Sequence, residues 1–145
     1  MDHFTCELQF PSLAREISIP VSIRCSKCRN HNTTIHDCNG IIDTGATSSM
    51  LTEPIANDLG LIPSGTINVS GVHGSENANL YVIDIILGQH FILPDIPVSG
   101  AKGEAGFDLL IGMDILSKGE IRLSNKKEKT VFQFGIPFIH RMDLF

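Results

Sequence analysis

Gly40-Ile-Ile-Asp-Thr-Gly-Ala-Thr-Ser-Ser-Met-Leu51 runs from isoleucines into one acidic residue, then into glycine and small polar residues. A carboxylate at Asp43, set between Ile41, Ile42 and Ala46, is costly to bury unless a neighbour satisfies it. Aspartate and glycine are also common turn formers, so the letters Asp43-Thr44-Gly45 taken alone read equally as a plain turn. The flanking sequence decides between a turn and a site.

Upstream, EISIPVSIRC (16–25) alternates apolar residues at Ile17, Ile19, Val21 and Ile23, the pattern of a half-buried strand. A polar stretch over 26–34 predicts a hairpin loop, and TIHDCNGII (34–42) returns as a second strand toward Asp43. Downstream, Thr52 can cap a helix with Pro54 in its first turn and Gly60 at its end. TINVSGVHGSENANLYVIDIIL (66–87) predicts two strands about a movable glycine turn, Gly71 to Gly74. HFILPDIPVSG (90–100) predicts a short strand pair broken by Pro94 and Pro97. In FDLLIGMDILSKGEI (107–121) a buried run meets Gly112, and Asp114 can cap a single helical turn that stops at Gly119. The last segment, EIRLSNKKEKTVFQFGI (120–136), predicts a hairpin turning at Asn125 and Lys126.

A chain of 145 residues with 42% hydrophobic content fits one domain able to close its own core, with that core at about 17–135 and terminal arms on either side. The net charge is −5 and the basic residues are scattered, so there is no basic face for nucleic acid. No apolar run reaches membrane-spanning length and the N-terminus does not read as an export signal, which leads to the expectation of a soluble, cytoplasmic protein without membrane partners. In that setting Cys6, Cys25, Cys28 and Cys38 are expected as thiols or metal ligands rather than a disulfide framework.

Three segments in order, IIDTGATSSML, VSGVHGS and DLLIGMDIL, resemble the retropepsins, the homodimeric aspartic proteases of retroviral type. The last segment is most similar to the protease domains of DNA-damage-inducible ubiquitin shuttle proteins and to stand-alone cellular and bacterial relatives. The resemblance implies an all-β closed barrel of the acid-protease type with two short helices and an active site on a homodimer axis. It implies an aspartic endopeptidase without a cofactor, acting on extended polypeptide. Such a reaction needs one group to take a proton from water and another to give one to the carbonyl oxygen. Two carboxylates about 3 Å apart cannot both ionise, and the shared proton makes them base and acid together. Only one Asp-Thr-Gly occurs here, since Asp84, Asp95 and Asp108 precede isoleucine or leucine, so the pair requires Asp43 from each of two subunits.

By the same resemblance, Thr44 stiffens the active-site loops across the axis and Gly45 leaves room for substrate beside Ala46. Gly71, Val72, His73 and Gly74 form a flap tip over the peptide, while Leu110, Ile111 and Gly112 pass beneath the catalytic loop. The acidic and basic residues typical of retroviral members are replaced by Thr47 and Met113, and both changes occur together. Ala46 lacks the hydroxyl that some relatives aim at the carboxylate pair, which implies a mildly acidic to neutral optimum.

CSKCRNHNTTIHDC (25–38) holds Cys25, Cys28, His31, His36 and Cys38, and folding it about residues 30–33 would set Cys38 near Cys25 and His36 near Cys28. Cys25, Cys28, His36 and Cys38 are zinc candidates on residue type alone, and the resemblance implies no metal. Two other readings therefore stand beside the protease: a catalytically weak or inactive dimeric module that binds peptide by strand addition, and a zinc- or redox-responsive protein built on this hairpin.

Overall fold

The computed structural model describes residues 3–28, 34–72 and 74–137, and these residues are mostly β. Ten strands are formed: β1 (Phe4–Gln9), β2 (Ser18–Cys25), β3 (His36–Ile42), β4 (Met50–Thr52), β5 (Gly65–Gly71), β6 (Gly74–Leu87), β7 (Phe91–Ala101), β8 (Leu109–Ile111), β9 (Glu120–Ser124) and β10 (Val131–Ile136). Two short helices, α1 (Glu53–Asp58) and α2 (Met113–Leu116), follow β4 and β8.

The larger sheet runs β2-β3-β8-β4-β7-β6-β5, and an extra pairing of β2 with β6 closes its first six strands into a ring. Closure removes the free edges that an open sheet of this size would present. Only β5 is left outside the ring. It pairs with β6 from Gly65↔Leu80 to Gly71↔Gly74, whereas β6 beyond Leu80 pairs with β7 and β2. A second sheet, β1-β10-β9, stands beside the ring.

Alternation places the core. Ile19, Val21 and Ile23 of β2 point inward, as do Tyr81, Ile83, Ile85 and Leu87 of β6, all within 4% of full burial. Leu109 and Ile111, Ile115 and Leu116, and Phe132, Phe134 and Ile136 join the same cluster. The N-terminal arm is not loose: Phe4 to Gln9 pairs along β10, and the Phe4 ring meets that of Phe134 edge to face with centroids 6.5 Å apart.

Several local expectations need correction. Residues 91–101 form one strand rather than two, because Pro94 and Asp95 bulge together opposite Asp84 between the pairs Ile83↔Ile96 and Ile85↔Leu93. Buried Asp84 secures that bulge, accepting from the Asp95 amide at 3.0 Å and pairing with Arg24 Nε at 3.0 Å. The cap of α2 is Gly112 rather than Asp114. Thr52 does occupy the α1 N-cap and Gly60 follows the helix at φ +64°, although the Thr52 side chain makes no capping bond. The β9–β10 connection is longer than a two-residue turn, with Lys127 and Glu128 both at positive φ.

Truncating Phe134, which is fully buried, is expected to destabilise the fold by about 3–5 kcal/mol. Truncating the exposed Leu123 is expected to change stability by about 0.5 kcal/mol or less. Urea denaturation of Phe134→Ala and Leu123→Ala measures both; equal effects would contradict this placement of the core.

Candidate active site

The catalytic-loop candidate begins where β3 ends. Strand β3 runs parallel to β8 through the pairs Gly40↔Leu109, Ile41↔Leu110 and Ile42↔Ile111, and the ladder continues one step as Asp43 N–H donates to Ile111 O at 3.0 Å. The chain then turns. Gly45 N–H donates to Asp43 Oδ1 at 2.9 Å and Ala46 N–H to Asp43 O at 3.3 Å. A Cβ on Gly45 would lie 3.2 Å from Asp43 Oδ1, so the glycine lets the loop close tightly on the carboxylate it serves. Asp43 is half-buried while Thr44 and Gly45 are exposed, so the carboxylate is presented at a surface.

Residues that sequence reasoning missed hold this loop from behind. Ser49 is fully buried; its Oγ accepts from Gly112 N–H at 3.0 Å and donates to Asp114 Oδ1 at 2.7 Å. Its own amide donates to Asp114 Oδ2 at 3.1 Å, and Met113 N–H donates to Ala46 O at 2.8 Å. Gly112 sits so close behind the loop that a Cβ there would be 2.9 Å from Ala46 O and from the Ser48 carbonyl. Both are backbone atoms of the loop itself, so relief would require the loop to move. The polar letters at 49 and 114 were visible as the serine of ATSSM and the aspartate of GMD, but their pairing depends on β8 crossing under the loop.

The hairpin of β5 and β6 carries Gly71, Val72 and Gly74 at its tip, with Gly74 at φ +108° and Val72 almost wholly exposed. His73 lies outside the described residues. Beneath the hairpin is an open cleft of about 540 Å³ lined by Met50, Val69, Gly71, Val72 and Gly100 among others. Asp43 instead borders a separate hollow of about 360 Å³ with Ile17, Ile42 and Leu123. Ile111 is buried and Leu110 half-buried, and Ile111 O takes the Asp43 amide at the start of the loop.

The zinc candidates are not brought together as the sequence suggested. Register places Cys38 opposite Val21 and His36 opposite Ile23, rather than opposite Cys25 and Cys28. Cys25 is disulfide-bonded, which departs from the expectation of thiols or metal ligands, while Cys6 and Cys38 are free. Burial, with Asp108 and Asp37 nearby, pushes the Cys38 thiol up to about 12, far from the thiolate that a metal takes. Among the described residues no group of three or more His, Cys, Asp or Glu side chains is placed to hold a metal ion. His31 and the side chain of Cys28 lie outside them. No helix among the described residues is long and apolar enough to cross a membrane.

Among solved structures, a retropepsin-like aspartic protease from Rickettsia conorii matches with a TM-score of 0.58 at 16% identity, covering 94% of this chain and 97% of that one. Simian foamy virus (mac) protease matches with a TM-score of 0.43 at 15% identity, over 68% of this chain and 92% of its own. No curated protein matches in sequence. A closed β ring with an overhanging hairpin and this topology is thus the retropepsin-like fold. The chain belongs to the gag-polyprotein putative aspartyl protease family, whose sequence profile matches residues 32–118.

Ser49→Ala removes the acceptor for the buried Gly112 N–H, leaving that amide unpaired, and takes one of three donors from Asp114, which keeps the Ser49 and Ile115 amides. The expected loss is about 1–3 kcal/mol of stability by denaturant titration. Ser49→Thr keeps the hydroxyl and is expected to lose less; equal loss in the two variants would show that the hydrogen bonds do not hold the loop.

Proposed function

We propose that this protein is an aspartic endopeptidase active as a homodimer, with Asp43 from each subunit forming the carboxylate pair. The observation that carries this reading is the presentation of Asp43: a single half-buried carboxylate, held by Gly45 N–H on a loop braced by β8. A twofold interface that juxtaposes two such loops places like residues opposite each other across its axis. The pair then shares one proton. Its ionised member takes a proton from water as the water attacks the peptide carbonyl, and its protonated member gives one to the carbonyl oxygen. As the resulting diol collapses, the carboxylate now ionised takes a hydroxyl proton while the one now protonated gives its proton to the departing amine nitrogen, so the pair ends singly protonated. The exposed hairpin over the cleft supplies a cover for extended peptide, whose removal from water strengthens these interactions.

Asp43→Asn is expected to lower cleavage of an unstructured polypeptide by at least about 10³-fold, the scale of general acid–base catalysis, while leaving the dimer assembled. Unchanged cleavage would refute the assignment, and binding without cleavage in the unmutated protein would leave a peptide-binding module. Because each subunit supplies half of the pair, activity per chain falls on dilution in step with dissociation measured by sedimentation.

Position 46 sets a second expectation. Ala46 follows Gly45 directly and its carbonyl is fixed by Met113 N–H, so a serine there starts from a constrained backbone. A hydroxyl donating to the carboxylate pair stabilises its ionised form and lets it give up protons at lower pH. Both limbs of the kcat/KM profile of Ala46→Ser are therefore expected to move toward acid when the two proteins are assayed on one peptide. Limbs that stay in place or move toward alkali would show that position 46 does not reach the pair.

A further inference from the structure

The geometry points to Glu53 as a specificity-determining residue of the cleft beneath the β5–β6 hairpin, where its carboxylate receives a lysine or arginine side chain of an extended peptide. The inference rests on the proteolytic reading above and concerns a different part of the molecule from Asp43.

Glu53 opens α1 and is half-buried at the cleft. Two neutral donors fix its carboxylate: Tyr81 O–H donates to Oε2 at 2.5 Å and Asn79 Nδ2 to Oε1 at 3.3 Å. Tyr81 is a buried residue of β6 and Asn79 is two residues before it, so the ring closure that places β6 also places the carboxylate. Burial first, and then the bond to Glu53, pushes the Tyr81 pKa up, so the phenol remains a donor. Behind the carboxylate is Gly100, where a Cβ would collide with Glu53 Oε1 and lie 2.9 Å from its carboxyl carbon. The glycine leaves the space that the carboxylate fills.

A carboxylate has about four acceptor sites, of which Tyr81 and Asn79 take two. Its charge is not matched. Among the described residues no lysine, arginine or histidine forms an ion pair with Glu53, and the lysine lining the cleft, Lys102, faces Glu76 at 3.8 Å with both side chains mostly exposed. Met50 and Val69 give the same cleft apolar wall. Apolar wall and fixed anion together suit a side chain with a methylene stem and a cationic head. Since Asp43 does not line this cleft, the peptide position served is displaced from the scissile bond. A twofold dimer carries two such clefts, so the preference appears at two positions, one on each side of that bond.

The test is a positional scan with matched peptides carrying lysine, norleucine or glutamate at each position. The expected result is a kcat/KM at least tenfold higher for lysine than for norleucine at one position on each side, with glutamate rejected there. In Glu53→Gln the lysine-to-norleucine ratio falls toward one. A protein that cleaves without such a preference overturns the inference and leaves the protease standing. Binding is measured separately with the Asp43→Asn protein and the same fluorescent peptides, by anisotropy. At least tenfold tighter binding of the lysine peptide supports the subsite even if the unmutated protein cleaves nothing, in which case the proteolytic reading is the one that fails. Equal affinity for the two peptides overturns the subsite, and this comparison decides the matter if Glu53→Gln does not fold.

Discussion

The close approach of Gly112 to the loop at 46–48 is the constraint on which the rest of the site depends. With no side chain in the way, the start of α2 lies against that loop, and Ser49 can join the Gly112 amide to the Asp114 carboxylate. The parallel ladder of β3 on β8 then delivers Asp43 to one edge of the ring. For the proposed carboxylate pair a fixed position would matter more than a strong bond, since catalysis by paired groups depends on distances held to fractions of an ångström. The atoms a side chain at 112 would meet are backbone atoms of the loop, so nothing larger fits there without moving the loop.

Much of this was legible because the decisive signals are local. The alternation in 17–23 gave β2, the two glycines at 71 and 74 gave the hairpin, and Asp43 stood out as a carboxylate placed after two isoleucines. Signals that depend on register or on distant partners were not legible. A one-residue change in pairing decides which side chains face each other, and the cysteine hairpin fell to that ambiguity when Cys38 aligned with Val21. The pairing of Ser49 with Asp114 spans 65 positions in sequence and has no local pattern. Strand β7 was misread because its two prolines look like breaks, whereas a bulge opposite a buried aspartate absorbs one of them.

The bulge also shows how the ring tolerates buried charge. Asp84 would be expensive alone in the core, but Arg24 from β2 and the Asp95 amide from β7 both reach it, and Ser26 Oγ donates to the Asp95 carboxylate at 2.6 Å. Three strands are therefore tied inside the ring, four residues past the point where β6 leaves the hairpin. Polar groups in such a place select one register, because sliding any of the strands would leave the aspartate without its partners.

Strand β6 is a lever. Its first six residues, Gly74 to Asn79, have β5 as their strand partner, and from Leu80 onward it is a stave of the ring. At about 3.3 Å per residue the projecting arm is about 20 Å long, so a tilt of a few degrees at the fulcrum becomes a displacement of an ångström or more at Val72. The first residue past the fulcrum is Tyr81, whose phenol steadies Glu53. Asn79 on the arm and Tyr81 just past it donate to the same carboxylate, so the arm and the support of Glu53 are one piece of backbone.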